Sequence, residues 1–565
     1  MADIEKNYER WLEYADASLQ DELKAMSEAD KNECFATSLS FGTAGLRGFL
    51  RAGSNGMNIH TVAQATQGLA NYLNKNFKNP SVALARDSRN LGKEFVEVCV
   101  GVLAANGIVA HFHKEIESTP GLSFTVRELH CSAGICVTAS HNPAEYNGYK
   151  VYGPDGCQIT SEAAAAISKE IQVLDVFDDV KILNFEDACQ GQYAKEVGPE
   201  VRDSFIQAAS DCSVSHDTDL KIIYTALHGT GYPEVMEVLA RNGFEDVTPV
   251  KEQAEADGNF PTCPYPNPEM AETLALGIKY MEESGADILV ATDPDADRVG
   301  VALGHNGKVV RLNGNEIGVL LLNYLCQARQ ANGDDLHDLV AVTTIVSSDL
   351  VDALAKHYGV ELRRTLTGFK YIGEQILHLE QANCKERYMF GFEESCGYLP
   401  GTHVRDKDGI SACLLICQMA AMYKKQGKDL VDVLEEMYKQ FGYYKNDQVA
   451  VEYPGVEGQD KMASILASIR QDNPKEVAGL KVEGCKDYDK DTYMLVVGDR
   501  EDAPHELLPK SNVLEFPLEG GSKIIVRPSG TEPKIKVYCF AYGKTEAEAQ
   551  EVMGKLKVSA KELLS

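Results

Sequence analysis

No two of the 15 cysteines stand in a C-x-x-C pair, and their number is odd. Cys131/Cys136 and Cys413/Cys417 lack partnering histidine pairs, so neither a disulfide framework nor a structural zinc site is indicated. Free, mostly buried thiols in a reducing compartment are expected instead. Basic residues are also in short supply: 55 Lys+Arg stand against 85 Asp+Glu, a formal net charge of −30. That excludes a broad nucleic-acid footprint, which needs a basic face, and disfavours adhesion to anionic lipid. It leaves room for an anionic small molecule, because Arg, Lys and backbone N–H groups gathered in a cleft reverse the local field. Long apolar runs are missing as well. The longest, around Gly318–Cys326, is interrupted by Asn323 and covers about half a membrane span. The first residues, MADIEKNYERWLEYAD, are acidic and amphipathic, with no basic stretch leading into an apolar one, so no secretory signal is read there. A soluble, cytoplasmic protein without a nucleic-acid or membrane partner is expected.

What is present is enough chain for several cores. At roughly 100–200 residues per domain, 565 residues make about three to five domains. The 44% hydrophobic and 25% charged composition is that of ordinary globular protein, which rules out disorder or a collagen-like repeat. Ser81–Ala85, Ile135–Val137, Ile222–Leu227, Ile288–Ala291 and Leu339–Val346 read as buried strands. Each leads into a polar or Gly/Pro loop and then a helix-like segment, the α/β pattern, whose ligands bind beyond the carboxyl ends of the strands. Strand–loop–helix openings recur at roughly 80, 220 and 340, suggesting three related α/β modules. The last stretch differs, with strands near Tyr493–Val497, Lys523–Val526 and Ile535–Phe540 before an Ala/Glu/Lys-rich helix. Breaks are read in the acidic Asp175–Glu186 stretch with the helix-like Pro199–Ala209 beyond it, near Arg311–Asn315 after the hairpin-like Gly304–Lys308, and at Tyr453–Gly458. The expected division is 1–205, 206–312, 313–448 and 449–565.

Three loops carry most of the chemistry. Thr138-Ala139-Ser140-His141-Asn142-Pro143 follows the strand ending at Val137 and puts Ser140 at a loop apex, with Lys150 close behind in Tyr146-Asn147-Gly148-Tyr149-Lys150. A serine hydroxyl is a poor nucleophile unless activated or already loaded, and His141 cannot be presumed its base because sequence neighbours often point apart. Asp293-Pro294-Asp295-Ala296-Asp297-Arg298 sets three carboxylates at alternate positions past a buried strand. In an extended segment all three would face one side and repel, which a hard divalent cation such as Mg²⁺ or Ca²⁺ would relieve. An EF-hand fails, since Arg298 and Gly304 stand where its Gly and Glu belong. A haloacid-dehalogenase-like phosphatase remains a rival; there Asp293 would be the nucleophile and Ser140 irrelevant. The third loop, Arg527-Pro528-Ser529-Gly530-Thr531-Glu532-Pro533-Lys534, offers a guanidinium, two hydroxyls, a Gly and a Lys: a phosphate cradle, though not a P-loop. Ordinary turns are the competing explanation for each.

Weaker signals accompany them. Thr367-Gly368-Phe369-Lys370 and Phe392-Glu393-Glu394-Ser395-Cys396-Gly397 suit hydrogen bonding to sugar hydroxyls, with Lys370 a candidate proton donor or acceptor and His403 and Arg405 following. Arg47 and His228 sit in Gly-rich loops that would face a phosphate or simply turn.

Together TASHNP, DPDADR, GFEES and RPSGTEPK, in this order and at these separations, resemble the α-D-phosphohexomutases across almost the whole chain. FGTAGLRG, TLTGFK and NGYKVYG are most similar to a subgroup of phosphoglucomutases with phosphopentomutase-like members. The resemblance implies three similar mixed-sheet α/β domains and a smaller C-terminal α+β domain around a central cleft, each contributing one loop. It implies that Ser140 is phosphorylated, and that Asp293, Asp295 and Asp297 hold Mg²⁺ with it. Glu393 and Ser395 would grip sugar hydroxyls, with Arg47, Arg298, Thr367 and Gly368 beside them. Arg527, Ser529, Gly530 and Thr531 would bind the phosphate that is not transferred. Lys150, Lys370, His141 and His403 align near positions given acid/base or positioning roles. The implied reaction interconverts glucose 1-phosphate and glucose 6-phosphate by way of a sugar 1,6-bisphosphate, which also serves as activator, in a monomer or homodimer. Phe392 departs from the Gly usual before the family's Glu-Glu-Ser or Glu-Met-Ser, which leaves pentose or mannose phosphates as alternative substrates, while Glu394 favours the glucose-type form. A sensor on a dead mutase scaffold would normally have lost the serine or an aspartate; all four are present.

Overall fold

The computed structural model describes residues 2–42, 45–453, 456–490, 495–497, 508–529 and 534–564. Four sheets organise them. The first holds β1 (Leu46–Phe49), β2 (Ser81–Arg86), β3 (Val109–Phe112), β4 (Ala133–Val137), β5 (Tyr146–Tyr152) and β6 (Ala194–Glu196), in the order β1-β5-β4-β2-β3-β6. The second holds β7 (Ile222–Thr225), β8 (Val247–Pro249), β9 (Ile288–Thr292), β10 (Val299–His305) and β11 (Lys308–Leu312), ordered β11-β10-β9-β7-β8. In the third, β12 (Val340–Thr344), β13 (Glu361–Thr365), β14 (Tyr388–Glu393) and β15 (Gly397–Leu399) run β15-β14-β12-β13. A common unit lies inside all three: three parallel strands with an antiparallel one beyond them, as in β5-β4-β2-β3, β10-β9-β7-β8 and β15-β14-β12-β13. β4, β9, β12 and β13 are buried along their whole length, the mark of parallel strands covered on both faces. The recurrence read in the sequence is therefore real, and the β10–β11 hairpin turns where expected, on Asn306 and Gly307, both with positive φ.

The fourth sheet is wholly antiparallel, in the order 443–452, 534–543, 523–528, 514–517, 486–487, with the helices Val456–Gln471 and Glu546–Leu563 alongside. Two expected boundaries move, and one strand changes sheet. Tyr443–Glu452 pairs residue for residue with Lys534–Gly543, so the C-terminal unit begins before 449; as a half-exposed edge strand it has too little apolar alternation to read as one. The helix Pro199–Ser210 packs Val201, Phe205 and Ile206 into the core of the second module, so a cut at 205/206 divides it. Leu495–Val497, expected in the last unit, pairs antiparallel with β13 and extends the third sheet. An apolar seam joins these last two units: Ile345, Val346 and Leu366 on one side, Val513, Ile525, Tyr538 and Phe540 on the other. No helix among the described residues is long and apolar enough to cross a membrane.

Candidate active site

Strand β4 delivers Ser140 in a left-handed backbone conformation, φ 52°, unusual for a residue with a side chain. The turn is held from beneath. Ser140 N donates to Thr138 Oγ1 at 2.8 Å, and Thr138 Oγ1 donates to Asp87 Oδ2. The buried Arg89 guanidinium, 3.2 Å from Asp87, donates to the carbonyl oxygens of Ser140 (2.6 Å), Asn142, Pro143 (2.7 Å) and Tyr146 (2.9 Å). Four carbonyls on one fixed cation keep the serine loop in its strained form. Sequence reasoning missed Arg89; its signal was the Asp-Ser-Arg directly after β2.

Strand β9 delivers the three aspartates, all buried, with one oxygen of each within 4.8 Å of the others. The convergence was anticipated, the backbone was not. Asp293–Ala296 is a turn, closed by Ala296 N on Asp293 O (2.9 Å) with Ala296 at φ 53°, rather than an extended segment. The loop around His228 braces it: Thr230 N donates to Pro294 O at 2.9 Å, and a Cβ on Gly229 would lie 2.3 Å from Pro294 Cα. His228 itself is buried on Glu255 O and Thr262 and braces this loop.

The loops of the first two modules meet. Ser140 Oγ donates to Asp293 Oδ2 at 2.9 Å, Lys150 Nζ lies 2.7 Å from Asp295 Oδ2 and 3.5 Å from Asp297, and Thr119 Oγ1 donates to Asp295 Oδ2 at 2.9 Å. His141 Nδ1 lies 3.2 Å from Ser140 Oγ, so these neighbours do converge. Burial and the charges of Arg298 and Arg47 push the His141 pKa well below its usual value, leaving a neutral ring. Burial, with Asp295 and Asp297 beside it, pushes Asp293 well above the usual carboxylate range. Burial acts on Asp295 in the same sense, but Lys150 outweighs it and holds this carboxyl well below that range. Lys150 and Lys407 resist their own burial because the aspartates raise their pKa values, so both stay charged.

The third module adds Lys407, which the sequence reading passed over. Its Nζ lies 3.2 Å from Asp297 Oδ2 and 3.0 Å from Asp406 Oδ1, and Glu393 acts on it electrostatically. The signal was Asp406-Lys407-Asp408-Gly409, an alternating-charge run whose Asp408 caps the helix Gly409–Lys425. Glu393, at the end of β14, accepts from Gly368 N at 2.7 Å, which joins two of the expected sugar-loop segments. Cys396 O accepts Val299 N at 3.0 Å and ties this loop to the second module. Ser395 stands half-buried in the same turn. Thr367 Oγ1 and Glu394 Oε2 are buried without a hydrogen-bond partner. Arg298 pairs with Glu269 at 3.0 Å, and Arg47, beside Gly148 through the β1–β5 ladder, reaches Asn142 at 3.4 Å. Arg527 lies beside Tyr538, and its charge partly opposes the burial and the Glu393 charge that raise the Glu394 pKa, which brings the C-terminal loop to the sugar loop. Ser529 N donates to Lys534 O; Gly530 and Thr531 lie outside the described residues.

Two expected residues have partners outside the aspartate cluster. Lys370 Nζ lies 3.3 Å from Ser161 Oγ and over the Tyr371 ring, at a contact with the first module. His403 is buried between Asp408 (2.8 Å) and Cys212 (3.8 Å), away from the aspartates, because its strand-to-helix connection turns its ring onto the Pro199–Ser210 helix beside Phe205.

Mg²⁺ fits the donor set. It is all hard oxygen, and Asp295 Oδ1 and Asp297 Oδ1 are buried without a hydrogen-bond donor, as atoms reserved for a cation would be.

Four family profiles match the chain in order: phosphoglucomutase/phosphomannomutase α/β/α domain I over 38–175, domain II over 203–307, domain III over 313–441, and the C-terminal domain over 469–556. A phosphoglucomutase of Staphylococcus aureus strain MRSA252 is 36% identical over 534 residues, covering 94% of both chains. The chain belongs to the phosphoglucomutase/phosphomannomutase family. The phosphoglucomutase of S. aureus strain MSSA476 is 37% identical over the same length and coverage. Among solved structures, the open form of Paramecium parafusin, a phosphoglucomutase, matches with TM-score 0.69 at 20% identity, over 94% of this chain and 95% of that one. A Burkholderia thailandensis phosphoglucomutase/phosphomannomutase family protein matches with TM-score 0.64 at 16% identity, over 93% and 97%. These two share the fold. The chain is thus a member of a phosphosugar mutase family that works by phosphoryl transfer.

Proposed function

We propose that this enzyme interconverts glucose 1-phosphate and glucose 6-phosphate through a phosphorylated Ser140. The observation that carries the reading is the 2.9 Å contact between Ser140 Oγ of the first module and Asp293 of the second, at a buried cluster of three carboxylates. Asp293, Asp295 and Asp297, with Ser140, would hold Mg²⁺, which when bound offsets the negative charge of the transferring phosphoryl group. Lys150 and Lys407 supply fixed positive charge on either side. Ser140 Oγ gives its phosphoryl group to the free hydroxyl of the bound sugar phosphate, and the resulting bisphosphate, reversed in the cleft, returns its other phosphoryl group to Oγ. Neutral His141 Nδ1 is placed to take the Oγ proton as the serine is loaded and to return it afterwards. Glu393, Ser395, Thr367 and Gly368 would orient the sugar, with the unpartnered Thr367 Oγ1 and Glu394 Oε2 open to its hydroxyls. Arg527 and the loop after it would hold the distal phosphate, with Arg47 and Arg298 at the entrance. The site must close around the bisphosphate, since an exposed phosphoserine would hydrolyse.

A phosphatase working from Asp293 is the weaker reading. One oxygen of that carboxyl accepts the N–H groups of Asp297 (3.1 Å) and Arg298 (3.0 Å), and the other accepts Ser140, so the carboxyl is held against the serine rather than turned to an attacking position. Incubation with glucose 1-phosphate, Mg²⁺ and a trace of the 1,6-bisphosphate tests both: interconversion without phosphate release is expected, and steady phosphate release that survives Ser140→Ala would overturn the proposal. Mannose and ribose phosphates in the same assay rank the substrates. A soluble cytoplasmic monomer or homodimer, with the sugar bisphosphate as activator, completes the proposal.

A further inference from the structure

A pocket of about 690 Å³ opens where the first three modules meet, and apart from His403 none of the residues expected at the substrate site lines it. That volume is in the range of small-molecule sites. On its wall stands Cys212, half-buried, with Sγ 3.8 Å from His403 Nδ1, while His403 Nε2 lies 2.8 Å from Asp408 Oδ2. A thiol, an imidazole and a buried carboxylate in this sequence form the arrangement that turns a cysteine into a nucleophile. Burial acts to lower the His403 pKa, but Cys212 and Asp408 outweigh it and raise it to about 10. Gly401 packs directly on the pair and makes room for it, since a Cβ there would sit 2.8 Å from Sγ and 3.0 Å from the ring nitrogen. The charged lining is of both signs, with Arg127, Arg329 and Lys385 among Glu128, Asp211 and Glu386. Such a lining suits a zwitterion better than a simple anion.

We propose that Cys212, with His403 and Asp408 as its proton relay, is a thiol–disulfide exchange site for a zwitterionic low-molecular-weight disulfide, and that the adduct slows the mutase. In the exchange the Sγ proton, which lies within reach of Ala208 O (3.6 Å) and His403 Nδ1 (3.8 Å), passes to the imidazole, the only base of the two, while Sγ attacks one sulfur of the disulfide. A new S–S bond forms, the old one breaks, and the leaving thiolate takes the proton from His403; one disulfide is consumed and one is made. The effect on turnover follows from the chain. Asp408 caps its helix through the N–H groups of Ile410 and Ser411, and the residue before it is Lys407, whose Nζ touches Asp297. An adduct that displaces the His403 ring loosens Asp408 and with it Lys407. This second half rests on the phosphosugar mutase reading; the first does not.

The test treats the full-length protein with oxidised glutathione and maps adducts by peptide mass spectrometry. Cys189 and Cys485, both exposed, are internal controls. Cys212 is expected to react at least about tenfold faster than either, His403→Gln to remove that advantage without altering the controls, and uncharged hydroxyethyl disulfide to react more slowly at Cys212. Labelling of Cys212 no faster than the controls, or unaffected by His403→Gln, overturns the site. In the activity arm, the adduct is expected to lower turnover several-fold and dithiothreitol to restore it, while Cys212→Ser keeps basal turnover and no longer responds. Labelling without loss of turnover overturns the regulatory half. Because labelling reads no activity, its outcome is separable from failure of the mutase assignment.

Discussion

Two of the junctions between this molecule's modules are built from opposite chemistry. Where the first module meets the second, the contact is charged: Ser140, Lys150 and Thr119 on one side, Asp293, Asp295 and Asp297 on the other, nearly all buried. Where the third meets the C-terminal unit, it is apolar, Ile345, Val346 and Leu366 against Val513, Ile525, Tyr538 and Phe540, with the ion pair Lys523–Asp349 at 2.7 Å beside them. Burying charges costs free energy that their mutual attraction barely returns, so the first junction is kept for its chemistry. Burying apolar surface stabilises without fixing direction, so the second can hold a loop in reach of a substrate and still shift. Stability and activity are therefore expected to separate between the two.

The largest effect tests the charged junction. Ser140→Ala should lose at least about 10³-fold in kcat with little change in Tm, measured by coupled assay and calorimetry. Removing the metal comes next. EDTA should abolish turnover, and added Mg²⁺ should raise Tm in the wild type but not in Asp295→Ala; equal shifts in both would place the cation elsewhere. Lys407→Met should cost about 10²-fold in kcat, chiefly through lost charge stabilisation. At the apolar junction the ranking should invert: Phe540→Ala should cost about 3–5 kcal/mol in unfolding free energy while kcat falls less than in any variant above. The smallest effect is a pH slope. Burial and the adjacent Glu393 raise the Glu394 pKa to about 8, so the folded state holds a proton that the unfolded state releases near 4.5. Its contribution is full below pH 4.5 and is lost as pH rises towards 8, and Glu394→Gln should flatten the decline of Tm over that window.

Much of this could be read from residues alone. Loops that carry chemistry follow strands so apolar that only a buried position explains them, which is why Ser140 and the three aspartates were found. Arg89 and Lys407 escaped because each acts through neighbours distant in the chain: Arg89 on four carbonyls between Ser140 and Tyr146, Lys407 on an aspartate 110 positions before it. The contacts of Lys370 and His403 were hidden for the converse reason. Each follows a sugar-loop segment closely, yet Lys370 turns to Ser161 and His403 to Asp408 and Cys212.

By itself, the order of residues settled what is periodic and local: three repeated α/β units, a dissimilar C-terminal one, and the identity of the loops at the strand ends. Strand burial and loop composition are properties of short stretches and leave their mark in them. Which carboxylate meets which cation, where the edge strands Tyr443–Glu452 and Leu495–Val497 attach, and that a histidine near the sugar loop should serve a cysteine in another pocket were decided only when the modules packed. Those outcomes depend on distances between separate loops, and such distances exist only once hydrophobic burial has brought the modules together.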